Sequence, residues 1–347
     1  MTIIHKEVPT TQTAVRVGAT ERSLTSLPVG KPGPNEVLIQ NVAVAANPKD
    51  WKLPEKLYAP DETFVEGNDV AGTIVAVGEG VSEYKYGAYQ QYTVAPASTT
   101  FPIPNITPYE EAATLPLAVM TAAIGLFVRL GIPAPDKPAA YTNRNKAVVI
   151  NGAASSVGAY AVQLAKRAGL FVVGIAGVSK DYAKEVGADV VIDYREAPGE
   201  QLIHAIVSAA GSRPTPWAFD AVSESDSALL LARALAKIRE SDDIPAHVTT
   251  VLPAFPDEER NQLPPNTTCV VTFVGTAYGE DEEFAAPFYR KISHWLSEGT
   301  FKCNRPKIMP RGLADVPTGL RLLKAGELHG EKLVHRIADT PGIQLGA

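Results

Sequence analysis

The segment VVINGAASSVG, residues 148–158, combines residue types that together bind a phosphate group. An apolar strand runs into a glycine turn and a helix follows at once, so free backbone N–H groups and the positive helix end point at one spot. Gly152 permits the tight turn, and Gly158 lets the helix pack closely on the strand. The middle glycine of the usual fingerprint is absent, so a turn without a ligand is the alternative. We expect a dinucleotide pyrophosphate to bind at Gly152, Ser155, Ser156, Val157 and Gly158.

The end of the next strand indicates which dinucleotide binds. A site that prefers NAD places an acid there for the ribose 2′-hydroxyl, but the strand FVVGIAG, residues 171–177, contains none. Ser179 and Lys180 follow it, and Tyr194 comes after the third strand. A hydroxyl and an ammonium suit a 2′-phosphate, which a carboxylate would repel. The pattern predicts NADPH, and the alternative is that Lys180 is a solvated lysine near a helix start.

Metal chemistry has little support in the sequence. The two cysteines, Cys269 and Cys303, form no CxxC pair, and no two of the six histidines lie three or four residues apart. We therefore predict no metal site and two free thiols.

The bulk composition is that of an ordinary globular protein, with 45% hydrophobic and 20% charged residues. A chain of 347 residues exceeds what one hydrophobic core usually organises, so we expect two lobes. The formal net charge of −6 argues against nucleic acid or an anionic membrane as a partner. No apolar run could span a membrane and the N-terminus lacks the apolar block of a signal peptide, so we expect a cytoplasmic protein.

The elements around these residues change in character along the chain. Apolar, β-branched runs at Glu36–Val44 and Asp69–Val77 predict strands, and Thr107 is expected to cap a helix. Pro116 is expected to interrupt this helix, and a second helix is expected from about Val119 to Leu130. From about residue 147 short strands alternate with helices, which predicts parallel βαβ units in an open twisted sheet. The tail is expected to hold helices ending at Gly299 and Gly326 and a last strand, Lys332–Ile337.

Three motifs together resemble the medium-chain dehydrogenase/reductase superfamily: GAASSVGAYAVQLAKRAG (152–169), EEAATLPLAVMTAA (110–123) and GNDVAGTIVAVGEGV (67–81). Two more, NPKDWK (47–52) and GEKLV (330–334), are most similar to fungal quinone-oxidoreductase-like proteins. That group includes the ToxD-like proteins and the trans-acting enoyl reductases that serve iterative polyketide synthases. The resemblance covers nearly the whole chain, with the motifs in the right order.

The resemblance implies an α/β fold with two lobes. A GroES-like β-barrel catalytic lobe would take residues 1–118 and 299–347, and an NADPH-binding Rossmann lobe with a doubly wound parallel sheet would take residues 119–298. One stretch departs from the family pattern, because the chain passes almost directly from Val81 to Gly87. One short strand and its loop, on the order of ten to twenty residues, are missing there. This departure would affect activity more than the fold.

The resemblance also implies the chemistry. Zinc-using relatives carry a cysteine where Asn47 stands, and His-Glu where Asn68 and Asp69 stand. Without those ligands, alcohol–carbonyl interconversion loses its Lewis acid. Conjugate reduction remains, since hydride can go to the β carbon while hydrogen bonds hold the enolate oxygen. We expect NADPH-dependent reduction of an enoyl thioester, an enone or a quinone.

Four residues take their predicted roles from the resemblance. Lys52 is the first candidate donor to the carbonyl oxygen and Thr121 the second. Asn47 would contact the nicotinamide or the substrate, and Lys332 a cofactor phosphate. The plainer alternatives are a surface cation for Lys52, a cap or packing residue for Thr121, and an edge-strand lysine for Lys332.

Two other functions remain open. A homologue that binds NADPH without turnover could serve as a docking or scaffold protein on a polyketide synthase, and the missing segment favours this. A zinc alcohol dehydrogenase is disfavoured by Asn47 and Asn68. We expect a small-molecule or carrier-bound enoyl substrate, a polyketide synthase as candidate partner, no nucleic-acid or membrane partner, and a monomer or homodimer.

Overall fold

The computed structural model describes residues 8–78, 87–253 and 261–343, and the chain forms two compact units. Unit 1 consists of Met1–Leu117 and Ala277–Ala347, and unit 2 of Ala118–Thr276. These units differ from the predicted lobes, 1–118 with 299–347 and 119–298, chiefly at the helix Glu282–Ser297, which belongs to unit 1. The segment that we expect to be shortened, between Val81 and Gly87, lies outside the described residues.

Unit 1 is built on two sheets. Its described strands are β1 (Thr11–Gly18), β2 (Arg22–Pro28), β3 (Glu36–Ala45), β4 (Thr63–Val65), β5 (Asp69–Val77), β6 (Tyr92–Pro96), β13 (Pro306–Met309) and β14 (Lys332–Arg336). The larger sheet runs β13-β14-β3-β5, with β6 also paired to β3, and the smaller one runs β2-β1-β4. β3 and β5 pair antiparallel from Val37↔Val77 to Ala45↔Asp69, so both predicted strands are confirmed.

Helices flank these sheets. They are α1 (Lys49–Leu57), α2 (Tyr109–Ala112), α8 (Glu282–Ser297) and α9 (Val316–Ala325). α9 ends at Gly326 in the left-handed conformation, as predicted, because glycine adopts a φ of 70° without a Cβ clash. The predicted cap at Thr107 is wrong: Pro108 stands at the N-cap of α2, and no side chain caps it. α8 belongs to unit 1 because Tyr289 stacks on Phe101 with ring centroids 4.8 Å apart.

The next helix, α3 (Pro116–Ala123), begins in unit 1 and continues into unit 2. The predicted second helix is confirmed, but it begins at Pro116 and not at about Val119, because proline is well tolerated in a first helical turn. A π-helical stretch, Ile124–Arg129, follows α3 directly. Within it Gly125 lies against Phe219, since a Cβ at Gly125 would stand 2.3 Å from that ring.

Unit 2 alternates strands and helices. Its described elements are β7 (Ala147–Asn151), α4 (Ser156–Arg167), β8 (Phe171–Ala176), α5 (Lys180–Glu185), β9 (Val190–Asp193), α6 (Glu200–Ala210), β10 (Trp217–Asp220), α7 (Ser227–Ile238), β11 (Ala246–Thr250) and β12 (Thr267–Val271). All the strand pairs are parallel, so the predicted βαβ sheet is confirmed.

The strand order of unit 2 is β12-β11-β10-β7-β8-β9. The chain therefore winds outward from β7 in one direction and then returns to β10 on its other side. In such sheets ligands bind where the order reverses, at the carboxyl ends of the strands. β7 is buried for nearly its whole length and α4, α5, α6 and α7 pack on the strands, so the sheet is covered and rigid at this point.

Candidate functional site

The turn after β7 has the geometry that the sequence predicts. Gly152 has a φ of +70°, which favours glycine, and a Cβ on it would stand 2.6 Å from Val222 Cγ2. The Ala153 N–H donates to the Ile175 carbonyl oxygen over 2.9 Å, so the turn stays attached to the neighbouring strand. The backbone of this turn is therefore held in place without a ligand.

The helix after the turn begins as an anion site requires. Ser155 is the N-cap of α4, and its hydroxyl accepts a hydrogen bond from the Gly158 N–H over 3.1 Å. A Cβ on Gly158 would lie 2.0 Å from the Gly152 carbonyl oxygen, so only glycine fits there. Ser156 and Val157 form the first helical turn, the part of a helix that generally binds anions. These five predicted residues lie together, and they fit a pyrophosphate.

Asp220, which the sequence analysis did not single out, supports this turn from the neighbouring strand. Its buried carboxylate accepts from Asn151 Nδ2 over 2.9 Å and from the Ser227 hydroxyl over 2.5 Å. It also accepts from the backbone N–H groups of Val222 and Ser223. Asp220 thus ties the end of β7 to the loop that follows β10, the two strands where the order reverses. An acid at a strand end was the only signal for it.

The carboxyl ends of β8 and β9 bring the predicted phosphate-binding side chains together. The ring of Tyr194 lies against Gly177, since a Cβ there would stand 2.8 Å from Tyr194 Cε1. Ser179 precedes α5, and its side chain does not cap that helix. Lys180 Nζ lies 3.4 Å from the Asp193 carboxylate and 3.3 Å from that of Glu196. Lys180 is thus a partly exposed lysine with two acidic neighbours, and its contact with a 2′-phosphate stays a prediction.

Arg195 also binds Asp193 and was missed from the sequence. Its Nε and Nη2 donate to the two oxygens of Asp193 over 2.8 and 2.5 Å. The hydrogen bonds from Arg195, together with Lys180, hold the pKa of the Asp193 carboxyl well below its usual value. Because Asp193 is buried and the arginine side chain is 46% exposed, the outer edge of the guanidinium faces solvent. The signal was the sequence Asp-Tyr-Arg at the end of a strand.

In unit 1, Asn47 lies in a buried polar triad. Lys332 Nζ donates to Asn47 Oδ1 over 2.7 Å and lies 2.7 Å from Asp69 Oδ2. Asn47 Nδ2 donates to the same Asp69 oxygen over 2.8 Å. The Lys332 side chain is only 1% exposed. Its predicted contact with a cofactor phosphate stays a prediction, whereas its bonds to Asn47 and Asp69 are formed in this unit.

The two predicted oxyanion donors, Lys52 and Thr121, lie in different units. Lys52 is a half-buried residue of α1, and its Nζ stands 5.5 Å from the centre of the Trp51 ring, within reach of a cation–π interaction. The sequence did not predict α1. Thr121 lies inside α3, is 5% exposed, and does not stand at the start of the helix. Both roles stay predictions.

A second carboxylate, Asp50, shapes the loop that carries Asn47. It is fully buried, and it accepts from the Asn47 N–H over 2.9 Å and from the Tyr89 hydroxyl over 2.6 Å. Burial raises the pKa of Asp50, while Lys49, 3.1 Å away, opposes this. Asp69 likewise accepts from the Leu117 N–H over 2.6 Å. Both acids therefore tie loops to backbone N–H groups, as their sequence context suggests.

Neither metal ligation nor a membrane span is seen in the described part of the chain. Within residues 8–78, 87–253 and 261–343, no three His, Cys, Asp or Glu side chains are grouped so that they could hold a metal ion. No described helix is long and apolar enough to cross a bilayer. The enclosed Oδ1 of Asn68 has no hydrogen-bond partner among the described residues, so a donor from a ligand or a water molecule would satisfy it.

Two family models match the chain, one in each unit. The alcohol dehydrogenase GroES-like domain matches residues 33–88, and the zinc-binding dehydrogenase family matches residues 156–239. The CurK enoyl reductase has a similar fold, with a TM-score of 0.75 and 18% identity over 94% of this chain and 99% of that one. The predicted fold class, a GroES-like lobe with a Rossmann-type parallel sheet, is confirmed.

Two fungal proteins are similar over most of their length. Trans-enoyl reductase fsr4 of Gibberella fujikuroi is 32% identical over 302 residues, which are 82% of this chain and 86% of that protein. Trans-enoyl reductase himH of Aspergillus japonicus is 31% identical over 325 residues, or 87% of this chain and 90% of that protein. Similarity at this level over more than four fifths of each chain extends well beyond a shared fold.

Proposed function

Because the chain belongs to the medium-chain dehydrogenase/reductase superfamily, in its trans-enoyl reductase group, we propose that it reduces a carbon–carbon double bond conjugated to a carbonyl, using NADPH. The observation that carries this proposal is the glycine turn and helix start at the point where the order of a parallel sheet reverses. Related trans-enoyl reductases supply the reaction class, and the turn supplies a place for the cofactor.

NADPH fits the residues at the ends of β7, β8 and β9. The backbone of Gly152 and the first turn of α4 would hold the pyrophosphate. Ser179, Lys180 and Tyr194 are our candidates for the 2′-phosphate, and Arg195 joins them because its guanidinium edge is exposed. Two acids lie at this edge: Asp193 is engaged by both cations, and Glu196 lies 3.3 Å from Lys180.

The chain's side chains would act on the carbonyl oxygen. When bound, NADPH supplies a hydride. Addition of that hydride to the substrate β carbon would push the double-bond electrons toward the carbonyl oxygen, and water would supply the proton for the α carbon. The Lys52 ammonium and the Thr121 hydroxyl are candidate donors to the oxygen that becomes negative, and Asn47 is a candidate contact for nicotinamide or substrate.

We further propose that no metal takes part and that the substrate arrives free or attached to a carrier of a polyketide synthase. The positions of Asn47 and Asn68 carry amides, which bind zinc poorly in comparison with thiolate and imidazole. An ammonium and a hydroxyl would then do by hydrogen bonding what a Lewis acid does in a zinc enzyme.

A screen of NADPH oxidation tests the proposal. Purified protein is assayed with an enoyl thioester, an enone and a quinone, with NADPH and with NADH. We expect turnover of at least one class, preferably with NADPH, and about a ten- to thousand-fold lower kcat/KM in Lys52→Ala. Tight NADPH binding with no oxidation in any class would favour the docking homologue instead, and equal turnover by Lys52→Ala would remove that residue from the mechanism.

A further inference from the structure

The buried triad of unit 1 joins three segments that are far apart in sequence. Asn47 follows β3, Asp69 opens β5, and Lys332 opens β14. Asn47 is 3% exposed, and the side chains of Asp69 and Lys332 are 0% and 1% exposed. A buried ion pair costs desolvation energy and is weak evidence of a contribution to stability. The burial of these three polar side chains therefore needs an explanation other than a gain in stability.

The triad fixes which end of the Asn47 amide points where. Oδ1 accepts from the Lys332 ammonium, and Nδ2 donates to the Asp69 carboxylate. If the amide turned over, its NH2 group would face the ammonium and its oxygen would face the carboxylate. Both contacts would become repulsive, so the charges of Lys332 and Asp69 select one orientation.

One polar group of Asn47 is left over by this arrangement. Nδ2 carries two hydrogens and Asp69 accepts one of them. Within the described ranges the second N–H has no acceptor, whereas Oδ1 faces the ammonium and the backbone N–H goes to Asp50. Asn47 can therefore offer a ligand a hydrogen-bond donor.

We propose that Lys332 and Asp69 are positioning residues that hold Asn47 as a donor, so that the ligand group recognised at Asn47 is a carbonyl oxygen. The inference rests on the proposed function, in which Asn47 contacts the nicotinamide or the substrate. A carbonyl oxygen is present in both, as the carboxamide of the cofactor and as the group conjugated to the double bond. Asp69 also accepts from the Leu117 N–H, which fixes its own carboxylate.

The first test needs no activity. Asp69→Asn with Lys332→Met removes both charges together, because removing one would leave the other buried and unpaired. In protein labelled with 15N-asparagine, the side-chain NH2 signal of Asn47 is the one that Asn47→Ala removes. We expect its exchange with water to become at least about ten-fold faster in the double variant. Lys307→Met, on the neighbouring β13 in a half-exposed pair with Glu331, is the control and leaves the rate unchanged.

The second test uses turnover and cofactor binding. We expect the double variant to lower kcat/KM about ten- to hundred-fold, and to lower it no further when Asn47→Ala is already present. In Asn47→Ala, a higher NADPH Kd identifies the carboxamide oxygen, and a higher substrate KM alone identifies the substrate carbonyl.

Three results would overturn the inference: an unchanged exchange rate, losses that add to those of Asn47→Ala, or an Asn47→Ala protein with normal Kd and KM. If the wild-type protein turns over no substrate, the proposed function fails. The exchange rate and the NADPH Kd then still decide whether Asn47 is held as a donor.

Discussion

Asp193 determines how the two cations beside it act. Alone, a carboxylate at the end of β9 would favour a ribose 2′-hydroxyl and oppose a 2′-phosphate. Here Arg195 binds both of its oxygens and Lys180 lies 3.4 Å away, so two cations counter the charge of Asp193, while Lys180 also pairs with Glu196. In the proposed NADPH site, the cations that cover this acid would therefore act together with the absence of an acid from β8.

We predict that Lys180→Ala with Arg195→Ala reverses the cofactor preference. The change removes two cations and also uncovers Asp193, which then repels the 2′-phosphate and can accept from a 2′-hydroxyl. The Kd for NADPH should rise by about ten-fold or more, since hydrogen bonds to charged groups each contribute about 1.5–3 kcal/mol. The Kd for NADH should stay the same or fall. Fluorescence titration with each cofactor measures both.

Lys237→Ala is the matched control for this change. Lys237 is an exposed lysine of the same unit, paired with Glu200, and its loss should leave both constants as they are. If the double variant loses both cofactors equally, the two cations do not read the 2′-phosphate.

We expect His335 to make the free energy of unfolding depend on pH. It is fully buried, its Nδ1 donates to the Gly312 carbonyl oxygen over 2.9 Å, and its Nε2 has no partner within the described residues. Burial lowers its pKa from 6.5 to about 4. Since the folded pKa lies below the unfolded one, stability is complete above about pH 6.5 and is lost as the pH falls toward about 4.

We predict that this residue alone costs about 2 kcal/mol of unfolding free energy between about pH 7 and about pH 5. His335→Asn keeps an N–H for Gly312 but does not titrate in this range. Urea unfolding at both pH values measures the difference, and the variant should lose less stability than the wild type over the same interval. Equal losses would show that the histidine does not control this dependence.

At the scale of single elements, the sequence predicted those features that depend on residues close together in the chain. The strand, the turn at Gly152 and the helix that follows were predicted, because a strand pattern and a glycine requirement are local signals, whereas the cap at Ser155 was not predicted. The strands β3 and β5 were found for the same reason. α1 was not, because Pro54 and mixed polarity hide its period, and Lys52 was therefore placed without its helix.

The side-chain networks were not predicted, because most of them join residues that are far apart in the sequence. Asn47, Asp69 and Lys332 meet only after β3, β5 and β14 have paired, and no spacing in the sequence records that. The Arg195–Asp193 pair is local, but an arginine after a strand end is too common a feature to be singled out.

A single methyl group at Gly158 tests the turn as an element. Its Cβ would stand 2.0 Å from the Gly152 carbonyl oxygen and 2.8 Å from that carbonyl carbon, so backbone must move. We predict that Gly158→Ala costs about 1–3 kcal/mol of stability and weakens NADPH and NADH alike, because both share the pyrophosphate. Thermal unfolding and titration with both cofactors measure this.

Gly279→Ala provides the comparison, since a Cβ at Gly279 would meet nothing within 4 Å. It should leave the Tm and both dissociation constants close to those of the wild type. An unchanged cofactor Kd in Gly158→Ala would mean that the turn does not hold the pyrophosphate, even though its shape suits one.

At the scale of the whole molecule, the match to a zinc-binding family falls on unit 2. In unit 1, asparagines stand at positions where the resemblance implies zinc ligands in other members. The match to the zinc-binding dehydrogenase family covers residues 156–239, which hold strands and helices of the parallel sheet. The positions at which the resemblance implies metal ligands in zinc-using relatives lie in unit 1, where Asn47 binds Lys332 and Asp69. The match to a zinc-binding family and the positions implied for metal ligands therefore lie in different units.

We predict from this separation that treatment with a zinc chelator changes neither the Tm nor NADPH oxidation, because the proposed reaction relies on hydrogen bonds and not on a Lewis acid. Saturating NADPH should instead raise the free energy of unfolding by about 2.7 kcal/mol at about one hundred times its Kd, since it binds the folded state. Calorimetry with and without each additive separates the two effects, and a zinc alcohol dehydrogenase treated in parallel should lose activity. If the chelator abolished activity and added zinc restored it, the protein would be a zinc-dependent enzyme and this prediction would be wrong.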